Sequence, residues 1–391
     1  MGPDRPLGRK PRVLHVSADF PDAFSAAKTP VIERLVGLTD HRLDNQVISL
    51  NRCSPPRSGW IFPSLEMEEI ERAEGVTTLE YIAPPHGLHH GRMLRQLGDA
   101  IANMLSSGRL PEILVGHKLG IEGIAVRQAA GKLGIPYALS LQGNTDEKIL
   151  KARPDLRRLL AKVYHGAAHV FPFAPWALQS VERYLGKRAG ATSMLPCAMA
   201  DDAILPPREG NGRLLSVFHL RHARLKNLGV LGSATRISGV PLDIVGGGSA
   251  TDEADARAQA GEEPEFLGAV DNSMIAERFN AASGFIMPSR RESFGLVFIE
   301  ALFAGCPIAY PAGAAVDGYF DGCAFALRVD ARDPTAVADA MLRMIAQEQP
   351  MKAALADWQQ SAAARPFTRS SIAATFASGI EQALALPLGQ V

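Results

Sequence analysis

The 391-residue chain has only four cysteines, Cys53, Cys197, Cys306 and Cys323, and they are too far apart for any metal-ligand spacing. So few at this length exclude a disulfide scaffold, and reduced thiols in a cytoplasmic protein are expected. Aromatic residues make up only 6%. A nucleic-acid surface needs a basic stripe with interleaved rings, so no nucleic-acid partner is expected. No apolar run approaches the ~18–20 residues that span a bilayer. The basic N-terminus runs straight into VLHVSADF, which reads as a strand and not as a signal-peptide core. There is no Asp-x-Asp pair to bridge a metal to a diphosphate, so neither metal nor cofactor is expected. Net charge is also lacking: 41 basic residues balance 41 acidic ones. The balance is uneven, however, with 25 against 19 in residues 1–200 and 16 against 22 in residues 201–391. Such a first half suits an anionic neighbour, either a phosphorylated acceptor or the inner face of a membrane.

What is present is a regular alternation. Short apolar segments lie at 13–17, 46–50, 112–116, 137–142 and 169–173, and again at 214–220, 242–247, 265–268, 284–289 and 307–311. Helical periods separate them, such as 121–134 and 271–282, the first ended by Gly134 and Pro136. Strands separated by helices predict parallel sheets covered on both faces, the doubly wound α/β class. The Pro-, Gly- and Asp-rich stretch LPCAMADDAILPPREGNG (195–212) divides the two series. The expected organisation is therefore two Rossmann-like domains, 1–200 and 201–367, facing a cleft.

The stretch RRESFGLVFIEALFAGCPIA (290–309) carries Glu292 and Glu300 with seven residues between them. GFIMPS reads as a strand, SRRE as a loop and FGLVFIEALFAG as three helical turns. Gly295 falls at the helix entrance, where unpaired N–H groups and the positive end of the dipole suit a phosphate. Glu300, about five residues in, lies roughly 7 Å further along the axis. That spacing suits a nucleotide sugar: phosphate at the glycine, ribose at Glu300 and sugar at Glu292.

PSRRESFGLVFIEALFAGCPIAYP resembles the Glu-x7-Glu signature of retaining glycosyltransferases of the GT-B fold, family four. Pro288, Ser289, Glu292, Phe294, Gly295, Glu300, Ala301, Gly305 and Pro307 all fit it. EFLGAV (265–270), LDIVGGGS (242–249) and RHARLKN (221–227) extend the resemblance over roughly 214–345, and it is fainter over 1–200. It implies that Lys226 neutralises the departing diphosphate and that Glu292 contacts the sugar ring. Arg221 is favoured over Arg224 or His219 as a second diphosphate cation. The backbone of Ser293, Phe294, Gly295 and Leu296 would hold the phosphate, and Glu300 the ribose. The resemblance also implies a C-terminal helix (368–391) crossing back to the first domain.

The first half departs from the pattern. Ser25, Ala26 and Ala27 stand where the family often has a glycine pair, with Lys28 as a substitute charge. Gln142, followed by Gly143, stands where a histidine is common, and Gln cannot take a proton at neutral pH. His117, at the end of the preceding strand, is a further candidate. The basic segment 151–188, with Trp176 and Tyr184, suits either contact with an anionic bilayer or a solvated outer helix packed by its apolar side, and the loop at 86–96 offers histidines for an acceptor or for adventitious metal binding. The expected function is retaining transfer of a sugar from a nucleotide-sugar donor to a glycan or lipid-linked acceptor, in polysaccharide or glycolipid biosynthesis. The alternatives are a phosphorylase or sugar-phosphate synthase on the same fold, or a degenerate protein that only binds a nucleotide sugar.

Overall fold

A computed structural model describes residues 9–25, 28–54, 67–73, 75–84 and 87–386. Ala26, Ala27 and His86, singled out above, lie outside the described residues. The chain divides into two compact units. The first takes the described residues of Met1–Phe173, Ala177–Ala198 and Ser370–Val391, and the second takes Ala174–Trp176 and Met199–Arg369.

The first unit holds β1 (Arg12–Ser17), β2 (Asp44–Cys53), β3 (Met67–Ala73), β4 (Val76–Ile82), β5 (Ile113–Gly116), β6 (Tyr137–Leu141), β7 (His169–Pro172) and β8 (Ala191–Thr192). They form one sheet in the order β3-β4-β2-β1-β5-β6-β7-β8, parallel except for the edge pair β3/β4. Successive side chains of β1 point to opposite faces, as the period of two requires. Leu14 and Val16 join Leu114, Leu139 and Val170 in one core. Val13 joins Ile113, Val115 and Phe171 in the other, which the last helix, Arg369–Ala385, closes with Ile372, Phe376 and Ile380. Both faces are thus buried, which is why these strands read as near-continuous apolar runs.

The second unit holds β9 (Leu214–Val217), β10 (Leu242–Val245), β11 (Glu265–Gly268), β12 (Gly284–Ile286), β13 (Ile308–Pro311) and β14 (Ala326–Val329). The order is β11-β10-β9-β12-β13-β14, parallel throughout. Chain order reverses at β1/β5 in the first sheet and at β9/β12 in the second, so each has a switch point where such sheets bind ligands.

The sequence pattern missed β3, β4, β8 and β14. β3 is a polar edge strand and β8 has two residues, so neither shows apolar alternation. The basic stretch 151–188 is not one surface element but the end of the helix Asn144–Ala152, three further helical segments and the buried strand β7. Trp176, expected at a bilayer, is 5% exposed and donates its indole N–H to the Ala315 carbonyl at 2.7 Å. Arg188 is spent locally, donating to the carbonyl of Ala167 at 2.7 Å. Among the described residues no helix is long and apolar enough to cross a membrane.

Candidate functional site

At the β9/β12 switch point two loops meet. After β9 the chain runs through a 3-10 turn, Leu220–His222, to Asn227, which takes a left-handed conformation (φ 65°) before the helix Leu228–Ser238. Asn227 is 2% exposed and donates its side-chain amide to the carbonyls of Pro288, at 3.0 Å, and Ala331, while accepting from Arg290 Nε at 2.7 Å. The Arg290 N–H also reaches the Leu225 carbonyl at 2.9 Å. These bonds fasten the loop carrying Lys226 to the loop carrying Glu292.

The fastening brings Lys226 Nζ and Glu292 Oε2 into a direct ion pair, with both side chains more than four-fifths buried. The Glu292 carbonyl accepts from the Ala315 N–H at 3.1 Å, which fixes the loop from the other side. Next comes Gly295 in the left-handed region (φ 72°), the cap of the helix Leu296–Phe303. That helix has eight residues, shorter than the three turns expected, because Ala304 and Gly305 end it and β13 follows at once. Phe294 is 3% exposed, held edge-on to Tyr319 with ring centroids 6.3 Å apart. Glu300 and Ser293 are half-buried. Lys226, Glu292, Ser293, Phe294, Gly295, Leu296 and Glu300 therefore occupy one strand-end constellation.

Gly295 is required there on two grounds. Its φ is one that L side chains rarely adopt, and a Cβ would lie 2.7 Å from the buried Phe298 ring. Gly295→Ala is expected to destabilise the second unit by about 2 kcal/mol, the usual cost of backbone strain of this kind. Urea unfolding of the variant checks this, and an unchanged midpoint would refute it.

Arg221 is exposed, and its Nε points to His222 Nε2 at 3.1 Å. It also lines a cavity of about 540 Å³ with Arg224, Arg290, Asp252 and Asp255, a set that does not include Lys226 or Glu292. Sequence reasoning missed His222. Burial lowers its pKa, as do the charges of Arg221, Lys226 and His219, against the pull of Glu292. A neutral imidazole beside Lys226 leaves the cationic role to the lysine. The spacing of His222, four residues before Lys226 in a turn, was the signal available.

Two first-unit candidates are corrected. Lys28 is fully committed within the protein. Its ammonium donates to Asp22 Oδ2 at 2.8 Å, Ser49 Oγ at 2.9 Å and the Leu50 carbonyl at 3.2 Å, which uses all three of its protons. Burial alone would raise Asp22, yet the bonds from Lys28, Ser49 and Asn51 outweigh it and hold the carboxyl at about 2. His117 is fully enclosed rather than facing outward. Its ring stacks on His15 at 5.3 Å, Nε2 lies 3.0 Å from His15 Nδ1, and Nδ1 lies 3.3 Å from Ser140 Oγ. Gln142 and Gly143 do sit at the open end of β6, where Gly143 (φ 93°) caps the helix Asn144–Ala152.

A D-inositol 3-phosphate glycosyltransferase of Geodermatophilus obscurus is 36% identical over 89 residues, which is 22% of this chain and 20% of the relative. The match thus spans about a fifth of that curated relative's length. Among solved structures, sucrose-phosphate synthase from Thermosynechococcus elongatus superposes with a TM-score of 0.69 at 18% identity, covering 95% of this chain and 99% of that one. Anabaena Alr3699/HepE in complex with UDP and glucose gives 0.63 at 13% identity, covering 95% and 99%. Two doubly wound units with such neighbours make the fold GT-B. Residues 219–347, which hold Lys226, Glu292 and Glu300, match the family model described as glycosyl transferases group 1.

Proposed function

We propose that the chain is a retaining glycosyltransferase that moves a sugar from a nucleotide-sugar donor to a glycan or lipid-linked acceptor, in polysaccharide or glycolipid biosynthesis. The observation that carries this reading is the Lys226–Glu292 ion pair at the β9/β12 switch point, beside the glycine-capped helix Leu296–Phe303. A leaving diphosphate there would meet the ammonium of Lys226 and the free N–H groups of Leu296 and Val297. Glu292, displaced from the lysine, would turn to the sugar hydroxyls, and Glu300 would accept from the ribose. Arg221 would approach the diphosphate from the far side of His222. Retention needs no protein nucleophile in this scheme: the departing phosphate oxygen takes the acceptor's proton on the same face. The protein contributes positioning and charge stabilisation.

The names of the relatives favour a second reading of the acceptor alone. A D-inositol 3-phosphate glycosyltransferase and a sucrose-phosphate synthase both point to phosphorylated small molecules. Either acceptor leaves the donor chemistry unchanged, and any membrane contact would be peripheral.

The donor reading is tested by thermal unfolding with UDP, GDP, ADP and CMP in parallel. A ligand at 100 times its dissociation constant stabilises by about 2.7 kcal/mol, which at this size moves the midpoint by ~3 °C. A rise with UDP is expected, since solved neighbours hold UDP with glucose and UDP-2-fluoro glucose. A rise with another nucleotide would change the base, and no rise with any would remove the donor site.

A further inference from the structure

The first sheet has its own switch point, where β1 and β5 lie side by side. Four charged groups gather beyond it that no motif marks: Asp19 after β1, Lys118 after β5, Glu122 at the start of the helix Glu122–Leu133, and Asp146 in the first turn of Asn144–Ala152. Lys118 Nζ lies 2.6 Å from Asp19 Oδ1, and the charges of Glu122 and Asp146 also act on it. Glu122 Oε1 accepts the Ala18 N–H at 2.8 Å, while its Oε2 is buried without a partner.

Asp146 joins more of the chain than any of these. It is 1% exposed. Its Oδ1 accepts the N–H groups of Leu119 at 2.9 Å and Gly120 at 3.3 Å, and its Oδ2 accepts that of Gln142 at 3.2 Å. One carboxylate therefore ties the turn after β5, which carries Lys118, to the turn after β6, which carries Gln142 and Gly143. Neither turn is stiff by composition, since glycines stand at 120 and 143. Hydrogen bonds to an ionised acceptor are about twice as strong as neutral ones, so they can supply the stiffness.

We infer that Asp146 is a positioning residue for sugar transfer: it holds the Lys118–Gly120 turn and the Gln142–Gly143 turn in one arrangement at the first sheet's switch point, without itself touching substrate. The inference rests on the glycosyltransferase reading above. Burial raises the Asp146 carboxyl to about 6, against the bonds from Gly120, Gln142 and Leu119 and the charge of Lys118. Lys118, the charged side chain that acts on Asp146, also pairs with Asp19 and feels Glu122, while His90 Nε2 lies 2.5 Å from the Gly120 carbonyl. Protonation would turn one accepting oxygen into a hydroxyl and break the tie to one of the two turns.

Asp146→Asn separates this role from folding. Asparagine keeps one carbonyl oxygen for Leu119 and Gly120 but turns an NH2 group toward the Gln142 N–H. Amide exchange at Gln142 is expected to speed up at least about 10-fold, the loss of one hydrogen bond of ~1.4 kcal/mol or more. Turnover should fall about 10-fold or more with donor KM within about 3-fold, because a displaced positioning group costs the transition state rather than donor binding. The acid limb of the kcat profile near pH 6 should also vanish in the variant. Unchanged exchange at Gln142, or unchanged kcat with the acid limb retained, would overturn the inference. If D146N does not fold, Asp146→Glu keeps a titrating carboxylate one methylene away and is read by Gln142 exchange and turnover alone, with a smaller loss expected in both. A wild-type chain that transfers from no nucleotide sugar overturns both readings, whereas an active wild type with an unaffected variant overturns this one alone.

Discussion

Replacing Glu292 with alanine is expected to lower turnover at least about 100-fold, since a contact made in the transition state can be worth ~2.7–4 kcal/mol. Folding should survive, because the Glu292 side chain keeps some exposure and its loop is held by other bonds. The Ala315 N–H bonds the Glu292 backbone carbonyl, and Asn227 with Arg290 fastens the facing loop, so neither tie uses the lost carboxylate. Binding of the nucleoside diphosphate gives the decisive contrast. Glu292 pairs with the Lys226 ammonium. Removing it leaves the ammonium unpaired, so diphosphate affinity should hold or rise while kcat collapses. A purely structural role predicts the reverse, a lowered unfolding midpoint and weakened binding together. Steady-state kinetics and diphosphate titration of the same preparation decide between them, and near-normal turnover would remove Glu292 from the chemistry.

The candidate site in the second unit was legible because the residues proposed for it lie within one short stretch. A strand, a glycine in a left-handed turn and a helix entrance are all local, and Glu292, Gly295 and Glu300 follow from their spacing along it. Lys226 became legible only through the resemblance, because its pairing with Glu292 crosses 66 residues of sequence. Asn227, which makes that crossing possible, gave no signal. An asparagine before a helix reads as an ordinary cap, not as a buried clamp on Pro288 and Ala331. The first unit was less legible for a related reason. His117 follows β5, and a strand end does not reveal whether the next side chain turns out or in. The partner that draws it in, His15, stands on the neighbouring strand 102 residues away. Lys28 likewise looked available until Asp22, Ser49 and Leu50 were found to surround it. The strands that the pattern did reveal announce themselves as apolar runs, whereas the polar edge strand β3 and the two-residue β8 carry no such run.

Two buried groups of the first unit are expected to make stability depend on pH in opposite directions over overlapping ranges. His15 is enclosed, stacked between His117 and Phe376 with Nε2 at 3.1 Å from Asn45 Oδ1. Burial lowers its pKa from 6.5 to about 4, against the pull of Asn45 and Asp40. The unfolded chain therefore takes a proton that the folded ring refuses, and stability is lost as pH falls from 6.5 toward 4. Glu122 is the converse: burial raises it from 4.5 to about 7, opposed by Lys118 and assisted by Asp19. The folded chain keeps a proton that the unfolded one releases, so this contribution is complete below 4.5 and is lost as pH rises through 7. Each shift spans about 2.5 pKa units, or about 3 kcal/mol. Between pH 4.5 and 6.5 they largely cancel, and the wild-type profile should be flatter than either group alone would make it. Variants undo the cancellation. Relative to wild type, His15→Gln should gain about 3 kcal/mol of stability as pH falls from 6.5 to 4, and Glu122→Gln a similar amount as pH rises from 4.5 to 8. Whatever constant cost each substitution carries in packing shifts its curve without changing the slope. Urea unfolding across that range reads both differences directly. Curves parallel to wild type would mean that neither side chain is held as the fold places it, whereas opposite slopes would show one compact unit balancing a buried base against a buried acid.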